Sequence, residues 1–392
     1  MMAVRSVRST VASPVVKPSR TIPARTSLYL FTRAGGRCQL RGCNDYLLEH
    51  HVTKKRGIYA ERAHIWAYRP DGARGHPEGE FDPHDIGNLM LLCPKCHKLI
   101  DDNAEEYPVD RLKRDKSEHE ARILRLTETS PDLTTVAVVL RGRIASDPVT
   151  IGLHEIQDAV LPRHVGERGL HEIDLTGFRD SDDPAFWSVA ATEIRDRMSN
   201  FYSTKFEEGK PEHVSVFALA PIPLLMTLGA CLSDKVPTTL FQRHRETQGW
   251  VWKESGPEVQ FRSGMLREGT DPTKIALLVS VSGRLGLADL PPGIDAAYTV
   301  YHIEPDGRDP HLGLLETNAT LEAFRRCYMG LIRAIDATHP KLNRIHMFPA
   351  VPAPFAVAMG RDLLSKRDPG MLVYDYDKAV GGFAARLEIN QR

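Results

Sequence analysis

The sequence predicts an α/β protein with two parts, a small N-terminal domain stabilised by a metal ion and a larger C-terminal part made of two similar units. Three observations support this prediction. Two cysteine pairs bracket a short N-terminal stretch, strands alternate with helices in the C-terminal half, and a proline-containing motif occurs twice in that half. The chain of 392 residues is long enough for roughly two or three domains, each with its own core.

Charge and hydropathy indicate an ordinary globular protein. The formal net charge is zero, so any contact with nucleic acid must use local basic patches. Residues 1–25 are basic and contain no acidic side chain, and no apolar run follows that could act as a signal sequence or a membrane span. We predict that these residues form a disordered basic arm.

Composition also sets the other boundaries. Residues 26–128 form the first domain, and a polar run that begins at Thr127 indicates a linker over residues 129–149. Residues 150–392 form the larger part. Its two units are expected at about 165–255 and 270–380, because the repeated motif lies within each of these ranges.

The cysteine pairs predict a zinc site. Cys38 and Cys43 form the first pair, and Cys93 and Cys96 form the second. Four thiolates complete the tetrahedral shell that Zn²⁺ prefers, so the ion would be structural and would have no open position for chemistry. Chemistry must therefore come from other side chains of this segment. The two remaining cysteines lie in apolar patterns, so no disulfide framework is indicated and a reducing cytoplasm fits.

Three further residues in this segment resemble a known nuclease motif. They are His64 in Ala-His-Ile, Asn88 in Gly-Asn-Leu, and His97 directly after the last cysteine. The segment resembles an HNH endonuclease of the ββα-metal type. That resemblance implies that His64 is the general base, that Asn88 braces the loop that aims it, and that His97 binds a catalytic divalent ion, Mg²⁺ or a similar metal.

One position departs from the family pattern. Many members have an aspartate metal ligand immediately before the base, whereas this chain has Ala63. Glu61, Asp85 and Asp101 are the candidates for a second ligand, and the sequence does not choose among them. The alternative interpretation of the segment is a zinc ribbon that only binds nucleic acid or a partner. We expect no functional role for the other histidines of this part, His50, His51, His76, His84 and His119.

The C-terminal part contains an internal duplication. Phe217, Pro221, Pro223 and Gly229 recur at one constant offset as Phe348, Pro352, Pro354 and Gly360. We expect each unit to start with a strand, at Ile173 in the first unit and at Ala276 in the second, and to alternate strands with helices. This alternation predicts two Rossmann-like parallel sheets. Such sheets bind ligands beyond the carboxyl ends of their strands, so two facing units predict one composite pocket.

This part resembles the SAVED domain, a fusion of two CARF-like Rossmann units that senses cyclic oligonucleotides. The matching segments are Phe217-Ala-Leu-Ala-Pro-Ile-Pro, Phe241-Gln-Arg-His and His346-Met-Phe-Pro-Ala-Val-Pro. Neither unit has a Walker sequence or a Gly-x-Gly-x-x-Gly motif, which argues against nucleotide hydrolysis or a dehydrogenase role. Candidate ligand-binding residues near the predicted rim are Pro221, Trp252, Ser280, Ser282, Arg284, Pro349 and Arg361.

Together the two resemblances indicate the effector nuclease of bacterial CBASS anti-phage systems. They imply activation by a cyclic di- or trinucleotide from a partner cyclase. They also imply a homo-oligomer, dimeric and then tetrameric on activation, that degrades double-stranded DNA in the cytoplasm during abortive infection, with no membrane partner. Two alternatives remain open, a ligand-dependent DNA-binding regulator without catalysis and a restriction endonuclease that recognises a modified base.

Overall fold

The computed structural model describes residues 21–75, 81–144, 147–148, 150–178, 184–207, 211–232, 234–365 and 367–390. The chain divides into two units, Met1–Glu128 and Thr129–Arg392. Most of the predicted basic arm, residues 1–20, lies outside the described residues. Among the described helices, none is long and apolar enough to cross a bilayer.

The N-terminal unit has the predicted ββα arrangement. Its elements are α1 (Ala24–Arg33), β1 (Glu61–His64), β2 (Leu89–Leu92), α2 (Pro94–Asp102) and α3 (Val109–Glu128). β1 and β2 pair antiparallel, with His64 opposite Leu89. All four residues of β2 are buried, because the strand lies in the centre of this unit's core. A continuous apolar run is typical of a strand covered on both faces.

Local chemistry fixes where α2 begins. The Cys93 sulfur accepts a hydrogen bond from the backbone N–H of Cys96, and Pro94 occupies the first helical turn. Both features suit a helix N-terminus, where backbone N–H groups have no partner within the helix. His97, one residue after Cys96, is therefore held on the first turns of α2.

The first half of the C-terminal unit is a four-stranded parallel sheet with flanking helices. Its order is β6-β3-β7-β8. The bounds are β3 (Thr134–Arg141), β4 (Arg143–Ile144), β5 (Asp147–Pro148), α4 (Leu153–Ala159), β6 (His164–Asp174), α5 (Pro184–Glu207), β7 (Val214–Leu219), α6 (Ile222–Cys231) and β8 (Thr238–Phe241). The two short strands β4 and β5 pair with each other.

The second half repeats this topology. Its order is β14-β13-β12-β10-β11-β9, in which the four inner strands β10 to β13 are parallel and the two outer strands are antiparallel. The bounds are β9 (Phe261–Arg267), β10 (Ile275–Ser280), β11 (Thr299–Pro305), α7 (Asn318–Thr338), β12 (Arg344–Ala350), α8 (Ala353–Arg361), β13 (Gly370–Asp377) and β14 (Gly382–Ile389). The inner order β11-β10-β12-β13 matches β6-β3-β7-β8, which confirms the predicted pair of related units.

The start of the first unit differs from the prediction. β3 lies between β6 and β7, so it is the counterpart of β10, and Ile173 lies in β6, the counterpart of β11. The proposed match between the Ile173 and Ala276 strands is therefore wrong. Residues 129–149 are also more than a linker, because six consecutive buried residues of β3 lie in the centre of the sheet.

The two halves meet where α6 crosses α8. A Cβ atom built on Gly229 would lie 2.0 Å from the carbonyl oxygen of Val357, and one on Gly360 would lie 2.0 Å from that of Met226. Only glycine allows two helix backbones to approach this closely. The repeated glycine therefore sets the contact between the two halves of the C-terminal unit. The largest apolar core contains side chains from both halves.

Candidate nuclease centre and ligand cleft

The four predicted zinc ligands lie together. The sulfur atoms of Cys38, Cys43, Cys93 and Cys96 are all within 4.8 Å of one another. The Cys43 and Cys93 sulfurs are 3.9 Å apart, and tetrahedral Zn–S bonds of about 2.3 Å place sulfurs roughly 3.8 Å apart. Burial raises the pKa of Cys38 to about 12, so a bound cation is the counter-charge that would let these thiols ionise together. The donor set fits a structural Zn²⁺.

His64 ends β1 and is half-buried. Burial lowers its pKa below the usual value, the nearby His84 and His97 lower it further, and Asp101 acts in the opposite direction. The imidazole is therefore neutral near pH 7. Its Nε2 atom is shielded from solvent and has no hydrogen-bond partner among the described residues. A neutral imidazole with one uncommitted nitrogen can act as a proton acceptor.

Asn88 holds the backbone that follows His64. Its side-chain oxygen accepts a hydrogen bond from the Trp66 N–H at 2.7 Å, and its amide nitrogen donates to the carbonyls of Trp66 and Pro83, each at 3.1 Å. The Asn88 carbonyl also accepts from the Ile65 N–H at 2.8 Å. Asn88 is buried, so these bonds are protected from water. The geometry is that of a brace for the loop beyond His64.

His97 lies between two carboxylates. Its Nδ1 is 3.0 Å from Glu61 Oε2, and its Nε2 is 3.4 Å from Asp101 Oδ2. Both carboxylates are about half-exposed. Each lies beside a different ring nitrogen, so a divalent ion bound to His97 would have one of the two as its carboxylate ligand. Asp85, the third candidate, instead accepts from the Gly87 N–H at 2.8 Å and caps the 3₁₀ turn Ile86–Asn88. The structure places Glu61 and Asp101, but not Asp85, beside His97.

Sequence reasoning missed two side chains here. His84, expected to have no role, is buried with its ring centroid 5.6 Å from that of His64. Arg74 is buried and donates to the Ile65 carbonyl at 2.9 Å, to the Ile100 carbonyl at 2.6 Å and to Asp101 at 2.8 Å. It therefore ties the chain after His64 to the end of α2. No local pattern marks either residue, because their partners are brought together only by the fold.

A ligand cleft lies in the C-terminal unit where the two halves meet, beyond the carboxyl ends of the strands. Side chains of both halves line it, from Leu219 and Ile222 in the first to Val351 and Ala353 in the second. The helices α6 and α8 both begin at this cleft, and no side chain caps either N-terminus. The second residue of each helix is a proline, which has no N–H, and the third residue, Leu224 or Phe355, donates to the carbonyl of Pro221 or Pro352. The N–H groups of Ile222 and Ala353 are therefore the ones available to an anion.

The wall that follows β8 is basic. Arg243 and Arg245 line the cleft. Arg243 donates to the carbonyls of Thr150 at 3.2 Å and Gln248 at 3.4 Å, and Arg245 is exposed. Among the described residues neither guanidinium forms an ion pair with a carboxylate, so their charge adds to that of the helix N-termini.

Two of the predicted ligand residues lie at this cleft. Ser282 lines it directly. Pro221 is the residue before α6, and its neighbours Ala220 and Ile222 line the cleft. These placements agree with the rim predicted from strand ends.

The other predicted ligand residues lie elsewhere. Ser280 is buried, and its hydroxyl accepts from the Leu285 N–H at 3.0 Å. Pro349 is buried inside β12, where it pairs with Val279. Arg284 pairs with Asp309 at the surface. Arg361 donates a hydrogen bond to the Val236 carbonyl at 3.3 Å. Trp252 lines a second cavity together with Phe241 and His213.

Comparison with known protein families gives a match for both parts of the chain. The model of the SMODS-associated and fused to various effectors sensor domain, SAVED, matches residues 194–389, half of the chain. The chain belongs to the SAVED family. The HNH endonuclease model matches residues 38–104, which contain the cysteine cluster, His64, Asn88 and His97. Both resemblances inferred from the sequence are thus confirmed, and the protein combines an HNH domain with a SAVED sensor.

Solved structures with a similar fold include a SAVED/CARF-domain receptor, Cap4 of Acinetobacter baumannii. Its structures with the cyclic trinucleotides 2'3'3'-cAAA and 3'3'3'-cAAA match 75% of this chain at 13% identity and a TM-score of 0.43. The chain covers 61% of the length of those structures. No curated protein matches the sequence.

Proposed function

We propose that this protein is a DNA endonuclease controlled by a cyclic oligonucleotide that binds the cleft of the SAVED unit. The observation that carries this proposal is the pair of uncapped helix N-termini, one from each related half, at one cleft beside Arg243 and Arg245. A cyclic oligonucleotide is a ring of repeated phosphates. Helix N-termini and guanidinium groups both bind phosphate, so a paired arrangement suits such a ring.

The HNH domain supports hydrolysis of a phosphodiester bond. His64, neutral and held by the Asn88 brace, takes a proton from the attacking water. A divalent ion, Mg²⁺ or a similar metal, held by His97 with Glu61 or Asp101, would polarise the scissile phosphate and offset the charge on the leaving oxygen. Arg74 keeps Asp101 and the chain beyond His64 in one place.

The proposal extends to the biological role. Cleavage of both strands of a duplex needs two centres, so we propose a homo-oligomer, with dimers that assemble into tetramers when the nucleotide binds. The activating ligand would come from a partner cyclase during phage infection, and DNA degradation in the bacterial cytoplasm would then abort that infection. The combination of an HNH domain with a SAVED sensor supports this role.

A plasmid cleavage assay tests the proposal. Purified protein with Mg²⁺ should linearise and then degrade plasmid DNA only when a member of a panel of cyclic di- and trinucleotides of adenine, guanine, cytosine and uracil is present. His64→Ala should abolish cleavage but keep nucleotide binding and zinc content. His51→Ala, which changes an exposed histidine of the same domain, is the matched control and should leave cleavage unchanged.

Three results would contradict the proposal. Uncut plasmid with every member of the panel would exclude ligand-controlled cleavage. DNA binding without cutting, unaffected by His64→Ala, would indicate a regulator. Cleavage that depends on DNA methylation and needs no cyclic nucleotide would indicate a restriction enzyme.

A further inference from the structure

Two hydrogen-bond acceptors lie unpaired at one wall of the ligand cleft. Gln242 and His244 both line the cleft, and His244 is only 8% exposed. Gln242 Oε1 and His244 Nε2 are shielded from solvent, and neither has a hydrogen-bond partner among the described residues. Native proteins leave few buried polar atoms unpaired because each one costs free energy. Two such atoms at one ligand cleft therefore need an explanation.

Both free atoms can act as hydrogen-bond acceptors. The Gln242 amide nitrogen donates to the Arg243 carbonyl at 2.6 Å, so the amide oxygen is the free end. Burial lowers the pKa of His244, so the ring is neutral and carries one proton. In the tautomer with that proton on Nδ1, the unpaired Nε2 presents its lone pair.

We propose that Gln242 and His244 select the bases of the bound nucleotide by accepting hydrogen bonds from the N–H groups of a base edge. This inference rests on the proposed function, because it concerns the ligand of the same cleft. A phosphate carries only acceptors at neutral pH, so it cannot satisfy these two atoms. The amino groups of adenine, guanine and cytosine can do so when either side chain turns toward the cleft.

The cleft thus separates two kinds of recognition. The helix N-termini and the two arginines offer donors, which suit phosphates of any nucleotide. Gln242 and His244 offer acceptors, which suit a base edge that presents an N–H group, such as an amino group, and not one that presents a carbonyl or a ring nitrogen at the same position. In the second half, the cleft is lined by Ser282, Leu312, Val351, Pro352 and Ala353, and no unpaired buried acceptor occurs among these five residues. Base selection is therefore assigned to the first half.

Calorimetric binding to the full-length protein tests this inference. The probes are the panel member that binds most tightly and its analogue in which hydrogen replaces the base amino group. The wild type should bind the amino form about tenfold more tightly, the expected effect of one unpaired buried group. Gln242→Met and His244→Phe remove the acceptors at similar size, so each should weaken binding of the amino form about tenfold and reduce the preference for it.

The melting temperature of the free protein separates recognition from a structural role. Both variants should melt near the wild-type temperature, because each removes a buried unpaired acceptor, although Gln242→Met also removes the hydrogen bond to the Arg243 carbonyl. Gln260→Met is the matched control, since Gln260 is exposed and lies outside the cleft, and its binding should be unchanged.

Two kinds of failure are distinguishable. The roles of Gln242 and His244 are overturned if the variants bind both probes as the wild type does, or if they melt earlier but keep the preference for the amino form. Either result leaves ligand control intact. A wild type that binds no member of the panel overturns the proposed function, and this inference with it.

Discussion

The crossing of α6 and α8 predicts a large loss of stability when either glycine gains a side chain. An alanine Cβ at position 229 would lie 2.0 Å from the Val357 carbonyl oxygen and 2.9 Å from the Arg361 nitrogen. Non-bonded atoms pack favourably at about 3.5–4.0 Å. Both neighbours are helix backbone, which cannot rotate away as a side chain can. The two helices must therefore move apart by more than an ångström, and contacts along the whole crossing are lost.

The expected magnitude combines two opposing effects. Overpacking of a core costs about 1–3 kcal/mol and sometimes more, and this site belongs at the upper end because the obstacle is backbone. Replacing glycine by alanine within a helix gains up to about 1 kcal/mol. We expect Gly229→Ala to lower the free energy of unfolding of the C-terminal unit by about 2 kcal/mol, the upper overpacking cost less the gain in helix propensity.

Urea denaturation followed by tryptophan fluorescence measures this change. The control is Gly330→Ala in α7, where the glycine is exposed and a new Cβ has no atom within 4 Å. That variant should gain up to about 1 kcal/mol, so the two substitutions should act with opposite sign. A Gly229→Ala variant as stable as the wild type would refute the crossing geometry.

The reciprocal substitution adds a second check. Gly360→Ala meets the Met226 carbonyl in the same way. Once the helices have moved apart for one alanine, the second should cost less. The double variant should therefore lose less stability than the two single losses added together.

Three more predictions concern the zinc site, the buried arginine and a buried histidine. Cys93→Ser should release zinc and lower the melting temperature, because metal binding is coupled to folding. The control Cys231→Ser should keep the zinc. Metal analysis measures the zinc content, and calorimetry measures the melting temperature. Arg74→Met should cost about 2–3 kcal/mol in urea denaturation, because several buried hydrogen bonds are lost, whereas the exposed Arg69→Met should change stability by less than about 0.5 kcal/mol. Burial lowers the pKa of His213 to about 4, so the unfolded chain binds the proton more tightly than the folded protein does. Stability should therefore fall as the pH drops from about 6.5 toward 4, by up to about 1.4 kcal/mol per pH unit. His213→Gln should flatten this dependence of stability on pH.

The sequence predicted the HNH domain well because its motifs are local. The cysteine spacing alone indicates a four-thiolate site, and the sulfurs do cluster. Asn88 was predicted as a brace, and its bonds to Trp66 fit that role. The second metal ligand remained open because it depends on how β1 packs beside α2. The structure places Glu61 and Asp101, and not Asp85, beside His97.

The ligand cleft was harder to predict because the ends of the strands indicate where a ligand would bind but not which side chains point toward it. Ser280 and Ser282 are two residues apart, yet the first hydroxyl is buried as an acceptor and the second residue lines the cleft. Arg284 was a reasonable phosphate ligand until its distant partner Asp309 was known. Gln242 and His244 lie in the Phe241-Gln-Arg-His segment that carries the SAVED resemblance. The sequence does not show that their acceptors are unpaired, because this is a property of the folded surroundings.

The misplacement of β3 has a physical cause. Inner parallel strands are apolar on both faces, so one such strand resembles another and its position in the sheet cannot be read locally. The repeated motif around Phe217 and Phe348 identified β7 and β12 correctly. It does not extend back to β3 and β10, so the strand-like run over residues 135–140 was predicted to belong to the connection and first elements of the domain, and not to be an inner strand of the first repeat.

If the cleft binds a cyclic oligonucleotide as proposed, the duplicated fold would let it combine general affinity with selectivity. The crossing at Gly229 and Gly360 relates the two halves through their backbones, so it places two equivalent helix N-termini at the cleft. Backbone N–H groups recognise phosphate and are the same for every nucleotide. The side chains break this symmetry, because Gln242 and His244 have no counterpart among the residues of the second half that line the cleft. Substitution at the crossing should therefore weaken all members of the panel alike, whereas substitution at the Gln242 wall should change their order.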